Sequence, residues 1–379
     1  MVKTPEELYR DKFNRIQKAI NLEPVDHIPV VYNGMAFAPR YLGMSIADFC
    51  ADPEATVNAN LATMDKLGGF DGINLASAGK ITATLPALWL ARVGVPGRDL
   101  PPNSIWQVRE AEVMTTDDYD FIINKGWQAF LNNYLPRVVD MAEFGEATGW
   151  LETNSVRCIN KYRERSYVPI CATATAPPYE NFCGGRSMKK FLSDLYRIPD
   201  KVQAAMDVAL PDIIARTIGT ARASGVSGVW VGGWRSASSL ISPRLMDRFV
   251  WPYVVKIVEA LVAAGLMPIF HWDQDWTRDL IRLQELPAKK CLMNPDGMTD
   301  MRQFKNLVGD RMAMMGDVPS SMFAIGTPDD IYNYVRDLAS LFDSTGLILC
   351  PGCDAPINTR PENMEAFVAA SQKYGTMSL

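Results

Sequence analysis

Histidine is almost missing from this chain: two occur in 379 residues, His27 and His271. With so few imidazoles, the place of each one is informative. Excess positive charge is missing too. Lys and Arg number 38 against 43 Asp and Glu, a net charge of −5, and no basic cluster stands out. The electrostatic footprint of a nucleic-acid or anionic-lipid binder is therefore absent. No run is long enough to cross a bilayer. The most apolar window, "IVEALVAAGLMPIF", is short and contains Glu259. The first residues, "MVKTPEELYRDKF", are charged from position 3 and do not read as a signal peptide. Cysteine is present as an odd seven with no disulfide rhythm, which leads us to expect reduced thiols and a cytoplasmic protein. A glycine-rich phosphate turn is also lacking. "VVYNGMAFAPRYLG" does not form one, and "FCGGR" (182–186) lacks the Lys-Ser/Thr of a phosphate loop and reads as a turn.

What is present is the material of a large core: 48% hydrophobic and 21% charged residues. Eight short apolar runs end in polar or glycine residues, at 28–33, 72–76, 168–175, 228–233, 267–273, 290–294, 312–318 and 346–352. Near-continuous runs of this kind suit parallel strands covered on both faces. Helical patterns lie between them. "SPRLMDRFVWPYVVKIVEALVAAG" opens on a Ser-Pro start signal, and "TPDDIYNYVRDLASLFDSTG" opens on Thr327 with acids in its first turn. "RPENMEAFVAASQKYG" ends at a glycine. Eight strands alternating with helices predict a single (β/α)₈ TIM barrel over 1–379; a doubly wound open sheet is the alternative. The interval from about 77 to 167 is too long for one βα unit. It predicts a helical insertion after strand two, carrying Trp89, Trp106, Trp127 and Trp150.

A barrel gathers its chemistry at the C-terminal ends of its strands. The polar residues there are Asn33, the Thr175–Glu180 stretch, Trp234, Arg235, His271, Asp273, Asn294, Asp296, Asp317, Cys350 and Cys353. His271 and Asp273 are two apart, so a strand reaching both points them to one face, where they suit either a metal or proton transfer. Cys353 would complete an N/O/S donor set of the kind zinc takes. Cys350 competes with it but lies inside the apolar run. Asp317 is a candidate acid. Asn33, Tyr179, Trp234, Arg235 and Trp272 are candidate substrate contacts, three of them aromatic walls. His27 precedes the first strand and falls at the opposite end of the barrel.

Several stretches together resemble the uroporphyrinogen decarboxylase superfamily. They are "RIQKAINLEPVDHIPV", "APPYENFCGGRSMKKFLSDLYRIPDKV", "SPRLMDRFVWPY", "MPIFHWD", "MGDVPSSMFAIGTPDDI" and "GLILCPGCDAPINTRPENMEAF". The resemblance runs from about residue 10 to 375 and implies a (β/α)₈ barrel. The superfamily has two branches, the porphyrinogen decarboxylase and zinc methyltransferases that work with a corrinoid protein. The arginine-rich segment that holds porphyrinogen carboxylates is replaced here by "NGMAFAPRYLG", in which only Arg40 matches. The methyltransferase branch binds zinc through a His-x-Cys motif and a later cysteine. His271 and Cys353 fall on matching positions, while Asp273 replaces the middle cysteine.

That resemblance implies a zinc methyltransferase of the O-demethylase kind, moving a methyl group from a methoxylated, aryl ether substrate to cobalamin. No Asp-x-His-x-x-Gly corrinoid motif occurs in the chain, so the cobalamin is expected on a partner corrinoid protein. A methylcobalamin:thiol methyltransferase and a metal-free decarboxylase-like lyase are the alternatives. Neither nucleic acid nor membrane is expected as a partner, and a homodimer is compatible with the sequence.

Overall fold

A computed structural model describes residues 3–376, apart from 77 and 344. Eight parallel strands make the sheet: β1 Val31–Tyr32, β2 Gly72–Leu75, β3 Val168–Thr175, β4 Gly228–Gly233, β5 Met267–Trp272, β6 Leu292–Pro295, β7 Ala313–Val318 and β8 Leu347–Pro351. They pair in chain order. A parallel bridge between Val30 and Leu349 joins the last strand to the first. The fold is a (β/α)₈ TIM barrel, as the eight apolar runs predict.

Closing the sheet gives every strand residue one of two neighbours. On β5, Ile269 packs in the lumen, while Phe270 and Trp272 pack among the outer helices. The lumen floor is shut by the N-terminal helix Pro5–Ile20, whose Ile16, Ala19 and Ile20 pack against Val31, Ile170, Ile269 and Ile348. That helix starts well because Thr4 and Glu7 form a reciprocal capping box and Pro5 takes the first turn. Burying each of its two isoleucines is worth about 1.5–3 kcal/mol. With the floor sealed, the lumen opens only toward the C-terminal ends of the strands.

Two local expectations are corrected. "FCGGR" is not a turn; it lies within the helix Pro178–Arg186. A Cβ on Gly184 would collide with the Trp89 carbonyl, and one on Gly185 would press on Met114 and Tyr134. The glycines let this helix lie against the segment that follows β2. The Ser-Pro helix is interrupted. Ser242 caps its start, but the chain widens into a π turn over Met246–Val250 before the helix Trp251–Ala263. Pro252 has no N–H for the regular ladder, which explains the break.

The segment between β2 and β3 contains the helices Ile81–Trp89, Thr116–Lys125, Trp127–Tyr134 and Met141–Glu164, and a short antiparallel ribbon, Val93–Gly94 with Gln107–Val108. Residue 77, the expected start of the insertion, lies outside the described residues. Of its tryptophans, Trp106 stacks on Phe49 and Trp127 on Phe130, whereas Trp89 meets Trp234 at the mouth of the barrel. Among the described residues, no helix is long and apolar enough to cross a membrane.

Glu180 fastens the loop after β4. Its buried carboxylate accepts hydrogen bonds from the backbone N–H groups of Trp234, Arg235 and Ser236, and from the Ser236 hydroxyl. Removing it strands three amide donors, each costing about 1–3 kcal/mol when left buried and unpaired. Glu180→Ala should therefore lose at least about 3 kcal/mol in urea unfolding. A loss within error of zero would show that water replaces the clamp.

Candidate metal centre

The ladder between β4 and β5 continues one residue past Trp272, since the Asp273 N–H donates to the Gly233 carbonyl at 2.9 Å. His271 and Asp273 therefore share the lumen face. The strand ends there because Gln274 takes a left-handed conformation, φ 69°, with its N–H held by the Asp296 carboxylate. Trp276 closes the turn by donating its indole N–H to the Asp273 carbonyl.

Cys353 arrives from the other side of the ring. Gly352 follows β8 and donates to the Val318 carbonyl, while a Cβ there would strike the backbone of Asp296. Only glycine lets the chain pass so close. Asp354 then accepts from the N–H groups of Met35 and Ala36, and Ala355 donates to the Asn33 carbonyl. The loop bearing the thiol is thus tied to the loop after β1.

These constraints put three donor atoms together. Nε2 of His271 lies 3.6 Å from Sγ of Cys353 and 3.8 Å from Oδ1 of Asp273. All three ligand atoms fall within 4.8 Å of one another. Ligand atoms around a tetrahedral zinc stand about 3.4–3.7 Å apart, so the cluster is close to the size such an ion needs. His271 is 7% exposed, and Asp273 and Cys353 are half-buried at the mouth.

The electrostatics also fit a cation. Burial, then the carboxylates of Asp273, Asp354 and Asp296, push the Cys353 thiol well above its usual range. Burial raises Asp296 and pushes Asp354 up to about 6. Among the described residues no lysine or arginine pairs with any of these acids: Asp296 and Asp354 are held by backbone N–H groups, and Asp273 faces His271. A thiol among three carboxylates has no counter-charge of its own, and a divalent ion supplies one.

A hollow lies beside the cluster. Ala174 is exposed although it sits on β3, between β2 and β4, with Thr173 and Thr175 buried on the helix side. Its exposure is toward the lumen, and Ala172, Gly232 and Trp230 around it are only half-buried. Trp234, half-buried, meets Trp89 edge to face with ring centres 6.0 Å apart. The Arg235 guanidinium lies 4.0 Å over the Trp234 ring and 3.8 Å from Glu110, with its Nη1 buried and unpartnered.

Other expected contacts fall elsewhere. Tyr179 is fully buried in the helix layer, edge-on to Phe191, and Trp272 stacks on Trp276 behind the sheet. Neither lines the mouth, because strand alternation and the Pro178–Arg186 helix turn both rings outward. The tryptophans beside the cluster and at the mouth are Trp230, Trp89 and the expected Trp234. Sequence reasoning misses Trp230, though strand alternation along "GVWVGG" could have found it; Trp89 reads only as one of the four tryptophans of the expected insertion. Asn33 sits at the end of β1 with a buried, unpartnered amide nitrogen. Asp317 stands apart from the three ligands. Its Oδ1 accepts from the Tyr334 hydroxyl at 3.0 Å, its Oδ2 is unpartnered, and burial pushes it up to about 7. Arg40 is remote from the cluster and binds Asn103.

A family model described as uroporphyrinogen decarboxylase (URO-D) matches residues 153–374, more than half of the chain. The chain belongs to the uroporphyrinogen decarboxylase family. No curated protein matches its sequence. Among solved structures, a methyltransferase from Methanosarcina mazei superposes with a TM-score of 0.71 at 17% identity, covering 96% of this chain and 98% of that one. At that identity the likeness speaks for the fold. A B12-independent methionine synthase from Shewanella sp. W3-18-1 is looser still, with a TM-score of 0.46 at 9% identity over 92% of this chain and 97% of that one.

Within this family member, Asp317 gives a test by pH. The folded protein holds its proton up to about pH 7, whereas the unfolded carboxyl ionises near pH 4. The buried acid therefore costs stability increasingly as pH rises between those values, and costs its full amount above them. Asp317→Asn should melt several degrees higher than the parent at pH 8, reflecting up to about 4 kcal/mol, and should match it near pH 4. An equal melting temperature at both pH values would show that Asp317 does not carry this proton.

Proposed function

We propose that this uroporphyrinogen decarboxylase family member is a zinc-dependent methyltransferase. In this reading it moves a methyl group from a methoxylated aromatic to the Co(I) corrinoid of a partner protein. The observation that carries it is the meeting of His271, Asp273 and Cys353 at the open end of the barrel, next to the hollow. The donor set is one nitrogen, one oxygen and one sulfur, and three protein ligands are what a catalytic zinc typically keeps. When bound, zinc supplies Lewis acidity to an ether oxygen and the partner's Co(I) supplies the nucleophile.

The chain's own residues supply the rest. Nε2 of His271, a carboxylate oxygen of Asp273 and the Cys353 thiolate hold the ion. Ala172, Ala174 and Gly232 leave room for a flat ring, which Trp230, Trp89 and Trp234 enclose and shield from water. The Asn33 amide is free to donate to a substrate oxygen. Asp317, bonded to Tyr334 and set apart from the three ligands, takes no part in the transfer in this reading. Arg235 is a contact for an anionic substituent once its Nη1 is uncovered. The cytoplasm is the compartment in which a zinc-thiolate of this kind keeps its cysteine reduced.

The acids that surround the thiol oppose the decarboxylase reading, because a porphyrinogen with many carboxylates needs several cations at the mouth. An oxygen donor in place of a second sulfur favours an ether over a thiol substrate. Metal analysis of the purified full chain should find about one zinc per protein, and His271→Ala and Cys353→Ala should each lose it. The loaded parent should methylate free Co(I) cobalamin from a methoxylated aromatic, followed by the cobalamin absorbance. Asp273→Cys should keep the metal yet slow ether cleavage at least tenfold. No zinc uptake under reducing conditions, or methyl transfer unaffected by His271→Ala, would overturn the proposal.

A further inference from the structure

Behind His271 the lumen holds a run of hydrogen bonds whose directions are fixed from both ends. The Trp230 indole N–H can only donate, and it meets Oδ1 of Asn74 at 2.9 Å. The Asn74 amide nitrogen must then face away, and it donates to Oδ1 of Asn294 at 2.9 Å. At the other end the Met315 carbonyl can only accept, and it takes the Asn294 amide nitrogen at 2.7 Å. Both constraints orient Asn294 the same way. Reversing it would set carbonyl against carbonyl at Met315 and amide against amide at Asn74.

Oδ1 of Asn294 therefore faces Nδ1 of His271, at 2.8 Å. An amide oxygen accepts and cannot donate, so Nδ1 must carry the hydrogen. That leaves Nε2 with its lone pair, and Nε2 is the atom beside Cys353 and Asp273. Free neutral imidazole favours the opposite tautomer, so the protein imposes this one. The ring is held in orientation too. Trp230 lies flat on the His271 imidazole, with centres 4.0 Å apart and planes 7° from parallel. Asn74 and Asn294 are fully buried, which shields the relay from water.

We propose that Asn294, with Asn74 and Trp230 behind it, is a positioning residue that locks His271 as the Nδ1–H tautomer and reserves Nε2 for a divalent cation. The cation rests on the zinc reading above; the tautomer does not. A metal-bound histidine commonly donates its other ring nitrogen to a carboxylate or carbonyl. Here a neutral side-chain amide fills that role, oriented by a tryptophan that also stacks on the ring.

With only two histidines in the chain, long-range ¹H–¹⁵N spectra of the metal-free full-length protein at pH 8 read the tautomer directly, with His27→Gln assigning the pair. His271 should show a protonated Nδ1 and a bare Nε2. Asn294→Leu, which offers no acceptor, should move the population toward Nε2–H and weaken zinc binding about 10–100-fold in a chelator competition. Asn294→Asp keeps an acceptor and should keep the Nδ1–H form. Trp230→Phe keeps the stack but removes the first donor, and should weaken zinc less than Asn294→Leu does.

Nε2–H in the parent overturns the proposal, as does an unchanged tautomer in folded Asn294→Leu. If Asn294→Leu does not fold, the parent spectrum and Trp230→Phe decide. If the parent shows Nδ1–H and Asn294→Leu loses it, yet no form binds zinc, the relay stands and the metal reading falls.

Discussion

The strands of this barrel pair in chain order, with one bridge from Val30 to Leu349 linking the last to the first, and that near-closure decides what each side chain can touch. A residue on a closed parallel ring faces either the lumen or the helices, and its neighbour in sequence faces the other. The floor of the lumen is plugged by Ile16 and Ile20 of the first helix, so lumen side chains become more polar and more exposed toward the C-terminal ends. Ile269 packs on the plug, while His271, two residues further, meets Asn294 and Cys353. The same period sends Phe270 and Trp272 into the outer core. The ligand cluster is thus a consequence of where the alternation emerges from the apolar floor.

Much of this was legible from the sequence, and for physical reasons. Parallel strands buried on both faces read as apolar runs, and all eight runs became strands within a few residues of their expected ends. The pair His271 and Asp273 followed from strand period alone, once the ladder was found to reach Asp273. Thr327, read as the opening residue with acids in the first turn, does start the helix Pro328–Phe342, where it forms a capping box with Asp330. Cys353, rather than Cys350, was separated by the Pro-Gly turn between them. Cys350 is buried in the lumen core, whereas Cys353 reaches the mouth.

What was not legible depends on contacts between distant segments. Tyr179 looked like a mouth residue because it follows a strand, but two prolines start a helix at once and turn it into the outer core beside Phe191. "FCGGR" looked like a turn because glycine usually breaks helices. Its glycines are used instead to admit the Trp89 backbone, which lies more than ninety residues away in the chain. Trp89 itself reads only as part of the insertion, since its place over the mouth follows from how the segment after β2 lies on the barrel. Asn74 was hidden in the second strand, and its partner is more than two hundred residues further on.

The donors and their supports together bear on what a bound metal would favour. Nitrogen, carboxylate oxygen and one thiolate are a harder set than nitrogen with two thiolates, and hard donors leave more charge on the ion. Behind His271 stands an amide rather than a carboxylate. A carboxylate there would draw the Nδ1 proton toward itself and make the imidazole a stronger donor, whereas an amide fixes the tautomer with little change in basicity. Asp273 and Asn294 therefore act in the same direction, one within the ligand set and one behind it. Both would leave a bound ion electron-poor, which would suit polarising an ether oxygen and suit activating a thiolate less well. An aryl ether is a weak electrophile whose leaving oxygen needs such assistance, which is why the proposed reading favours it over a thiol.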